Sequence, residues 1–282
     1  MSGTLYLVAT PIGNLGDLTP RAAETLELVD FIAAEDTRVT VKLLNHLGLK
    51  KPMTPYHRHN KDTAGPAILA RLLAGESCAL VTDAGTPAVS DPGEDLVALC
   101  AAAQVPVVTL PGPCALVAAL AASGLPTSRF TFEGFLPLNK KNRARQLAEL
   151  SGEERTMIFY EAPHKLSATL QDLVSTFGPE RPVALCRELT KLHEQIIRTT
   201  LGQAAQRYGQ ECPRGEFVLV VAGQEQSAPQ DGPTLADGAA RVAALLKEGA
   251  TVRDAVRQAA QEYGLPKNKL YKLVMEKVVE EK

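Results

Sequence analysis

The chain has 282 residues, of which 45% are hydrophobic and 22% charged. That length buries more than one small module, and the balance excludes a disordered or fibrous chain. A formal net charge of −2 gives no general attraction to polyanions, so nucleic-acid binding must come from local basic patches.

From the N-terminus, short runs rich in Val, Leu and Ile alternate with amphipathic segments that end in glycine. This is the pattern of βα units around a largely parallel sheet. Strands are predicted over residues 5–9, 31–34, 78–82 and 105–110. The first follows the start directly, with no charged leader before it, and no run approaches the roughly 20 apolar residues of a membrane span. A cytoplasmic location is therefore expected, with no membrane contact. Thr19 caps a helix whose first position is Pro20, and Asp91-Pro92 repeats that arrangement before a helix over 94–100. Gly48 and Gly75 mark helix ends.

After Pro111-Gly112-Pro113 an Ala-rich helix over 114–122 leads into strands predicted at 130–135, 156–160, 182–187, 196–201 and 217–222. Strands now outnumber helices, which implies a second α/β domain with a mixed sheet. The expected domains are 1–112 and 113–224, then a polar, Pro- and Gly-containing linker over 225–234 and a helical unit over 235–282. Helices in that unit are predicted at 235–246, 252–262 and 267–279. The five cysteines, Cys78, Cys100, Cys114, Cys186 and Cys212, are dispersed and form no Cys-x-x-Cys pair. They read as reduced, mostly buried thiols, and no metal requirement is expected.

Three predicted strands end in Pro/Gly loops: Thr10-Pro11-Ile12-Gly13-Asn14, Asp83-Ala84-Gly85-Thr86-Pro87 and Pro111-Gly112-Pro113. Parallel α/β sheets bind ligands beyond the carboxyl ends of their strands, where small residues let the backbone approach a polar molecule. Each loop alone is compatible with a simple turn; together they indicate a site for a polar small molecule. The glycines form neither G-x-G-x-x-G nor a P-loop.

The segment 7–17 together with Ala34-Glu35-Asp36-Thr37-Arg38 resembles the start of the bacterial ribosomal RNA small subunit methyltransferase I family. Further segments are similar in order: 82–93, 110–113, Glu133-Gly134-Phe135-Leu136-Pro137, 159–166 and Arg187-Glu188-Leu189-Thr190-Lys191. The resemblance implies the tetrapyrrole-methylase-like architecture, two α/β domains with S-adenosylmethionine in the cleft between them, here followed by a helix-turn-helix-like unit. It also implies a homodimer that methylates a cytidine 2′-oxygen in the decoding region of 16S ribosomal RNA within the small subunit. Carried over by position, Pro11, Asp83, Ala84, Gly85, Thr86, Pro87, Ser90, Cys114, Ala115 and Tyr160 are expected near the donor. Many small-molecule methylases of the superfamily have Gly-Asp-Pro where this chain has Gly85-Thr86-Pro87.

Moving a methyl group from a sulfonium to a ribose hydroxyl needs alignment, and a base or cation to help the poor nucleophile. Asp36, Arg38, Lys165 and Lys191 are the catalytic candidates, with Glu35, Glu161, His164 and Glu194 nearby in the same motifs. The Glu35–Arg38 group reads equally well as a helix cap with a surface ion pair, and His164 as a helix-start residue. Lys140, Lys141, Arg143 and Arg145 carry four cations without an acid at a helix start, which opposes the helix dipole and suits an anionic partner. In 259–273, Ala260, Gly264 and Leu270 fit a helix-turn-helix whose second helix presents Lys267, Lys269 and Lys272 to RNA; a plain helical hairpin fits too. The competing functions are methylation of a tetrapyrrole-like metabolite and a non-catalytic role in ribosome assembly.

Overall fold

The computed structural model describes residues 2–211, 213–224 and 234–280, with backbone alone over 276–280. The chain divides into two compact units, Met1–Gln224 and Glu225–Lys282. Cys212 and the linker predicted over 225–234, apart from Thr234, lie outside the described residues.

The first sheet contains β1 (Leu5–Val8), β2 (Phe31–Ala34), β3 (Met53–Pro55), β4 (Cys78–Val81) and β5 (Val107–Leu110), in the order β3-β2-β4-β1-β5. Every pairing is parallel, so all five strands end along one edge. Side chains of a strand alternate between faces, and both faces here are covered. Leu5, Leu7, Phe31, Ala33, Cys78 and Leu80 pack with Ile68 and Leu72 of α3 (Lys61–Leu73) and Leu96 and Cys100 of α4 (Gly93–Ala102). Val8, Ile32, Ala34, Ala79 and Val81 pack with Ala22 and Leu26 of α1 (Pro20–Leu28) and Leu43 and Leu44 of α2 (Thr37–His46). This double coverage explains why β2 and β4 read as continuous apolar runs.

Thr19 caps α1 as its sequence predicts, accepting from the Ala22 N–H at 3.2 Å with Pro20 in the first turn. The Asp91-Pro92 expectation is corrected. Pro92 occupies the capping position of α4, and the Asp91 carboxylate accepts from Gly93 N at 2.7 Å while also turning back to Ala88 N and Val89 N. Strand β3 was not expected: it has three residues, lies at the sheet edge and ends in Pro55. An edge tolerates proline because one side of the strand has no ladder to complete.

The second sheet follows α5 (Ala115–Ser123) and contains β6 (Phe130–Phe135), β7 (Thr156–Glu161), β8 (Pro182–Arg187), β9 (Gln195–Thr200) and β10 (Phe217–Val221). Its order is β6-β7-β10-β8-β9. Only the β6 and β7 pair is parallel, so the sheet is mixed. Helices α6 (Lys140–Glu149), α7 (Leu166–Phe177) and α8 (Leu201–Gln210) cover one face through Leu147, Leu170, Leu173 and Tyr208. Helix α5 covers the other, with Leu116, Ala119 and Leu120 against Ile158, Ala184 and Val220.

The second unit is a three-helix bundle of α9 (Leu235–Lys247), α10 (Val252–Glu262) and α11 (Lys267–Glu280). Val242, Leu245, Val256, Ala259 and Leu270 form its core. Thr234 and Asp237 make a reciprocal capping box on α9. Gly264, at φ +64°, turns the chain between α10 and α11, and Ala260 and Leu270 are buried as the helix-turn-helix pattern requires. Among the described residues no helix is long and apolar enough to cross a membrane.

Leu219 lies at the centre of the second sheet, fully buried and paired with Phe159 and Leu185 on its neighbours. Leu219→Ala is expected to cost about 3 kcal/mol. The measurement is urea unfolding, where the midpoint should fall and the slope remain unchanged.

Candidate active-site cleft

The three flagged loops meet at the carboxyl edge of the first sheet. Thr10 and Gly85 exchange both backbone hydrogen bonds, at 2.9 and 3.0 Å, and the Thr10 hydroxyl donates to Thr82 O at 3.2 Å. The Thr86 hydroxyl donates to Pro113 O at 2.9 Å. Gly85 has φ +91°, and a Cβ there would stand 3.3 Å from Ile12 Cγ2. The positive φ favours glycine, and any Cβ would also press on Ile12.

Beyond Gly85 the loop enters the left-handed region at Ala88 (φ 65°) and Ser90 (φ 68°), which costs energy for residues with side chains. The Asp91 carboxylate holds this shape by accepting from Ala88 N at 3.0 Å, Val89 N at 3.3 Å and Gly93 N at 2.7 Å. Burial nevertheless pushes the Asp91 carboxyl above its ordinary pKa.

The loops form one wall of a cleft of about 620 Å³ whose other wall comes from the second sheet. On the first wall, Glu35 accepts from the Thr82 hydroxyl at 2.5 Å, and Asp83 accepts from Asp36 N at 3.1 Å. Burial, followed by the nearby charge of Glu35, raises the Asp83 pKa. The second wall carries Tyr160, whose hydroxyl accepts from Leu116 N at 3.1 Å and so fixes the start of α5. Burial pushes the Tyr160 phenol up to about 12, so it remains neutral near pH 7.

Lys191 supplies the cation on the second wall. Its ammonium donates to Glu188 Oε1 at 2.9 Å and Glu216 Oε2 at 3.0 Å. Burial works to lower the Lys191 pKa, but the two carboxylates win and raise it. Its stem passes so close to Gly13 that a Cβ there would lie 2.4 Å from Lys191 Cγ. The loop carrying Lys191 is itself strained, with Glu188 at φ 51° and Thr190 at φ 65°.

Eight residues expected near a donor line this cleft: Asp83, Ala84, Gly85, Thr86, Ser90, Cys114, Ala115 and Tyr160. Pro11 and Pro87 belong to the same loops without lining it. Among the catalytic candidates, Lys191 lines the cleft and Asp36, Arg38 and Lys165 do not. Asp36 caps α2 by accepting from Arg38 N at 2.8 Å, and pairs with the Arg38 guanidinium at 2.5 Å. That hydrogen-bonded guanidinium holds the Asp36 carboxyl down at about 2. Lys165 closes a short 3₁₀ turn beside His164, which does line the cleft. Glu216 was not expected; it stands just before β10, and its role becomes visible once β10 is placed between β7 and β8.

The basic segment is divided. Lys140, Lys141 and Arg145 are exposed on α6, whose first turn is capped by Asn139 through Lys141 N and Asn142 N. Arg143 instead turns inward, only 14% exposed, donating to Asp172 at 2.5 Å and to the Thr169 hydroxyl at 2.8 Å. Thr169 in turn donates to the buried Glu161 carboxylate, which lines the cleft. In the second unit, Lys267, Lys269 and Lys272 are exposed on α11. Among the described residues, no group of three or more His, Cys, Asp or Glu is arranged to hold a metal ion.

Residues 4–205 match the family of tetrapyrrole (corrin/porphyrin) methylases, and residues 233–277 match the RsmI C-terminal HTH domain. The chain is 51% identical to the ribosomal RNA small subunit methyltransferase I of Synechocystis sp., over 97% of this chain and 98% of that protein. It is 45% identical to the protein of that name from Escherichia coli O157:H7, over 97% and 95%. Among solved structures it resembles uroporphyrin-III C-methyl transferase from Thermus thermophilus complexed with S-adenyl homocysteine, with TM-score 0.55, 20% identity, and coverage of 79% of this chain and 98% of that one. That likeness concerns the fold.

The inward course of Arg143 separates two roles within one basic stretch. Arg143→Ala should lower unfolding stability by about 1–2 kcal/mol, because it strands Asp172 and loosens Thr169. Lys140→Ala and Lys141→Ala should each stay within about 0.5 kcal/mol of the parent in the same urea titration.

Proposed function

This chain belongs to the ribosomal RNA small subunit methyltransferase I family, and on that premise we propose that it methylates the 2′-oxygen of a cytidine in the decoding region of 16S ribosomal RNA, using S-adenosylmethionine. The carrying observation is a cleft at parallel strand ends with the Glu35 and Asp83 carboxylates beside each other on one wall and a doubly paired lysine on the other. S-adenosylmethionine, when bound, supplies an electrophilic methyl group on a positively charged sulfur.

The residues present suit such a molecule. A cleft of about 620 Å³ falls within the range of small-molecule sites. Ala84 and Gly85 keep the first wall open to backbone contact, and the Glu35 and Asp83 carboxylates favour a cation beside them. Val89, Leu189 and Tyr160 supply apolar surface that excludes water.

On the acceptor side, Lys191 would act as a fixed positive charge. Glu188 and Glu216 keep it protonated, so it would stabilise an oxygen that gains negative charge as the hydroxyl proton leaves. Asp36 and Arg38 are occupied with each other at the head of α2, and Lys191 is the candidate retained from the sequence. Lys140, Lys141 and Arg145 in the first unit, and Lys267, Lys269 and Lys272 in the second, are the proposed contacts to RNA phosphates. These basic surfaces favour RNA over a tetrapyrrole-like metabolite. The working form is proposed to be a homodimer in the cytoplasm, acting on the small subunit.

Incubation with labelled S-adenosylmethionine and either small ribosomal subunits or naked RNA tests this reading. The expected product contains one alkali-resistant phosphodiester, because a 2′-O-methyl removes the nucleophile of alkaline cleavage. Label in a fully alkali-labile product would place the methyl on a base and overturn the 2′-O assignment; absence of donor binding in calorimetry would favour the non-catalytic assembly role. Lys191→Met should lower kcat roughly 100-fold with donor affinity unchanged. Gly85→Val should abolish donor binding while RNA binding persists.

A further inference from the structure

Phe135 owes its position to a defect in β6. Strand β6 pairs with β7 in regular register from Phe130↔Thr156 to Phe132↔Ile158, and then Gly134, not Glu133, faces Phe159. Glu133 is therefore an inserted residue, a β-bulge. Strand side chains alternate faces, so an unbroken β6 would send residue 135 to the face packed by α6, α7 and α8. The bulge reverses that parity. Phe135 comes to lie beside Tyr160, with ring centroids 5.5 Å apart at 64°, and Leu136 takes the place in the core.

Two further features mark the position as built. Gly134 provides the turn at φ +62°, and a Cβ there would stand 3.1 Å from Ser90 Oγ, so the strained loop before α4 closes against the bulge. Phe135 is 56% exposed and lines the cleft wall. Just downstream, Lys140, Lys141 and Arg145 are exposed on α6. An exposed aromatic residue followed closely along the chain by exposed cations is a combination that holds single-stranded nucleic acid, with the base stacked and the phosphates paired.

We propose that Phe135 is the stacking platform for the nucleobase of the acceptor nucleotide. The inference rests on the RNA methyltransferase reading above and adds how the substrate is presented. A ribose within a stacked helix could not enter a cleft shared with the donor, so the nucleotide has to leave its stack, and a ring at the cleft mouth repays part of that cost. The ring stands on the edge strand that runs into the basic helix, not among the strand-end loops assigned to the donor. Phe135 is thus a substrate-binding residue that acts by stacking and takes no part in proton transfer.

The sequence contains no tryptophan, so Phe135→Trp creates a single indole reporter. Its emission should be quenched when a cytidine-containing single-stranded RNA is added to protein saturated with S-adenosylhomocysteine, and should change little with S-adenosylhomocysteine alone. In parallel, Phe135→Ala should raise KM for the RNA substrate about tenfold with unchanged donor affinity, and Phe135→Tyr should restore it. Full quenching by S-adenosylhomocysteine alone, with weaker donor binding in Phe135→Ala, would assign the ring to the donor's adenine and overturn the proposal. So would a Phe135→Ala enzyme with parental kcat/KM for RNA. If the parent transfers no methyl to RNA, the functional reading fails and this inference fails with it; an active parent with an indifferent Phe135→Ala removes the platform alone.

Discussion

The cleft depends on one half-buried carboxylate. Asp91 accepts three backbone N–H bonds from the loop that precedes α4, and that loop contains two residues in the left-handed region. Each such residue costs on the order of 1 kcal/mol or more, and burying the carboxylate adds to the bill. The three hydrogen bonds to the Asp91 carboxylate hold the loop in this shape against that strain. With the loop fixed, Ser90 meets Gly134 and Gly85 pairs with Thr10. Beyond Thr10, Gly13 accommodates the stem of Lys191. The two walls are therefore set relative to each other by close backbone approaches, at points where any larger residue would intrude.

The electrostatics of the cleft follow from that arrangement. Glu35 and Asp83 stand together on the first wall, where proximity and burial raise the Asp83 pKa. Across the cleft, Lys191 is surrounded by Glu188 and Glu216, and its protonated form is favoured despite burial. A raised lysine pKa means that the charge persists through the neutral range and is lost only in strong base. Lys191 is thus unsuited to accepting a proton near neutral pH. The phenol of Tyr160, shifted in the same direction by burial, likewise stays out of proton exchange and serves to fix α5.

Much of this was legible in the sequence because the relevant signals are local. Periodicity located nine of the ten strands, Thr19-Pro20 located a helix start, and strand-end glycines located the cleft. The ligand's name came from motif resemblance, since Gly85 by itself says only that a backbone must come close. What escaped depends on partners distant in the chain. Nothing local reveals that Glu133 is inserted relative to β7, and strict alternation would have put Phe135 in the core and Leu136 outside. Arg143 looks like its neighbours until α7 brings Asp172 and Thr169 alongside. Glu216 gains meaning only from β10 lying between β7 and β8. Strand β3 is too short and too close to proline to register as a strand.

Arg143 also bears on how the basic stretch is used. Four adjacent cations at the head of a helix oppose its dipole, and three exposed ones on a loosely attached helix could contact phosphates in many registers. The bonds from Arg143 to Asp172 and Thr169 tie α6 to α7, and the Thr169 bond to Glu161 continues that tie to the cleft wall. Lys140, Lys141 and Arg145 thus stand exposed on a helix that is tied to the cleft wall. With a net charge of only −2 over the whole chain, no broad field competes with this local one. On the proposed reading, phosphates held at α6 would bring the adjoining nucleotide toward the cleft in a defined register, with the inward-turned Arg143 fixing the helix that carries the exposed cations.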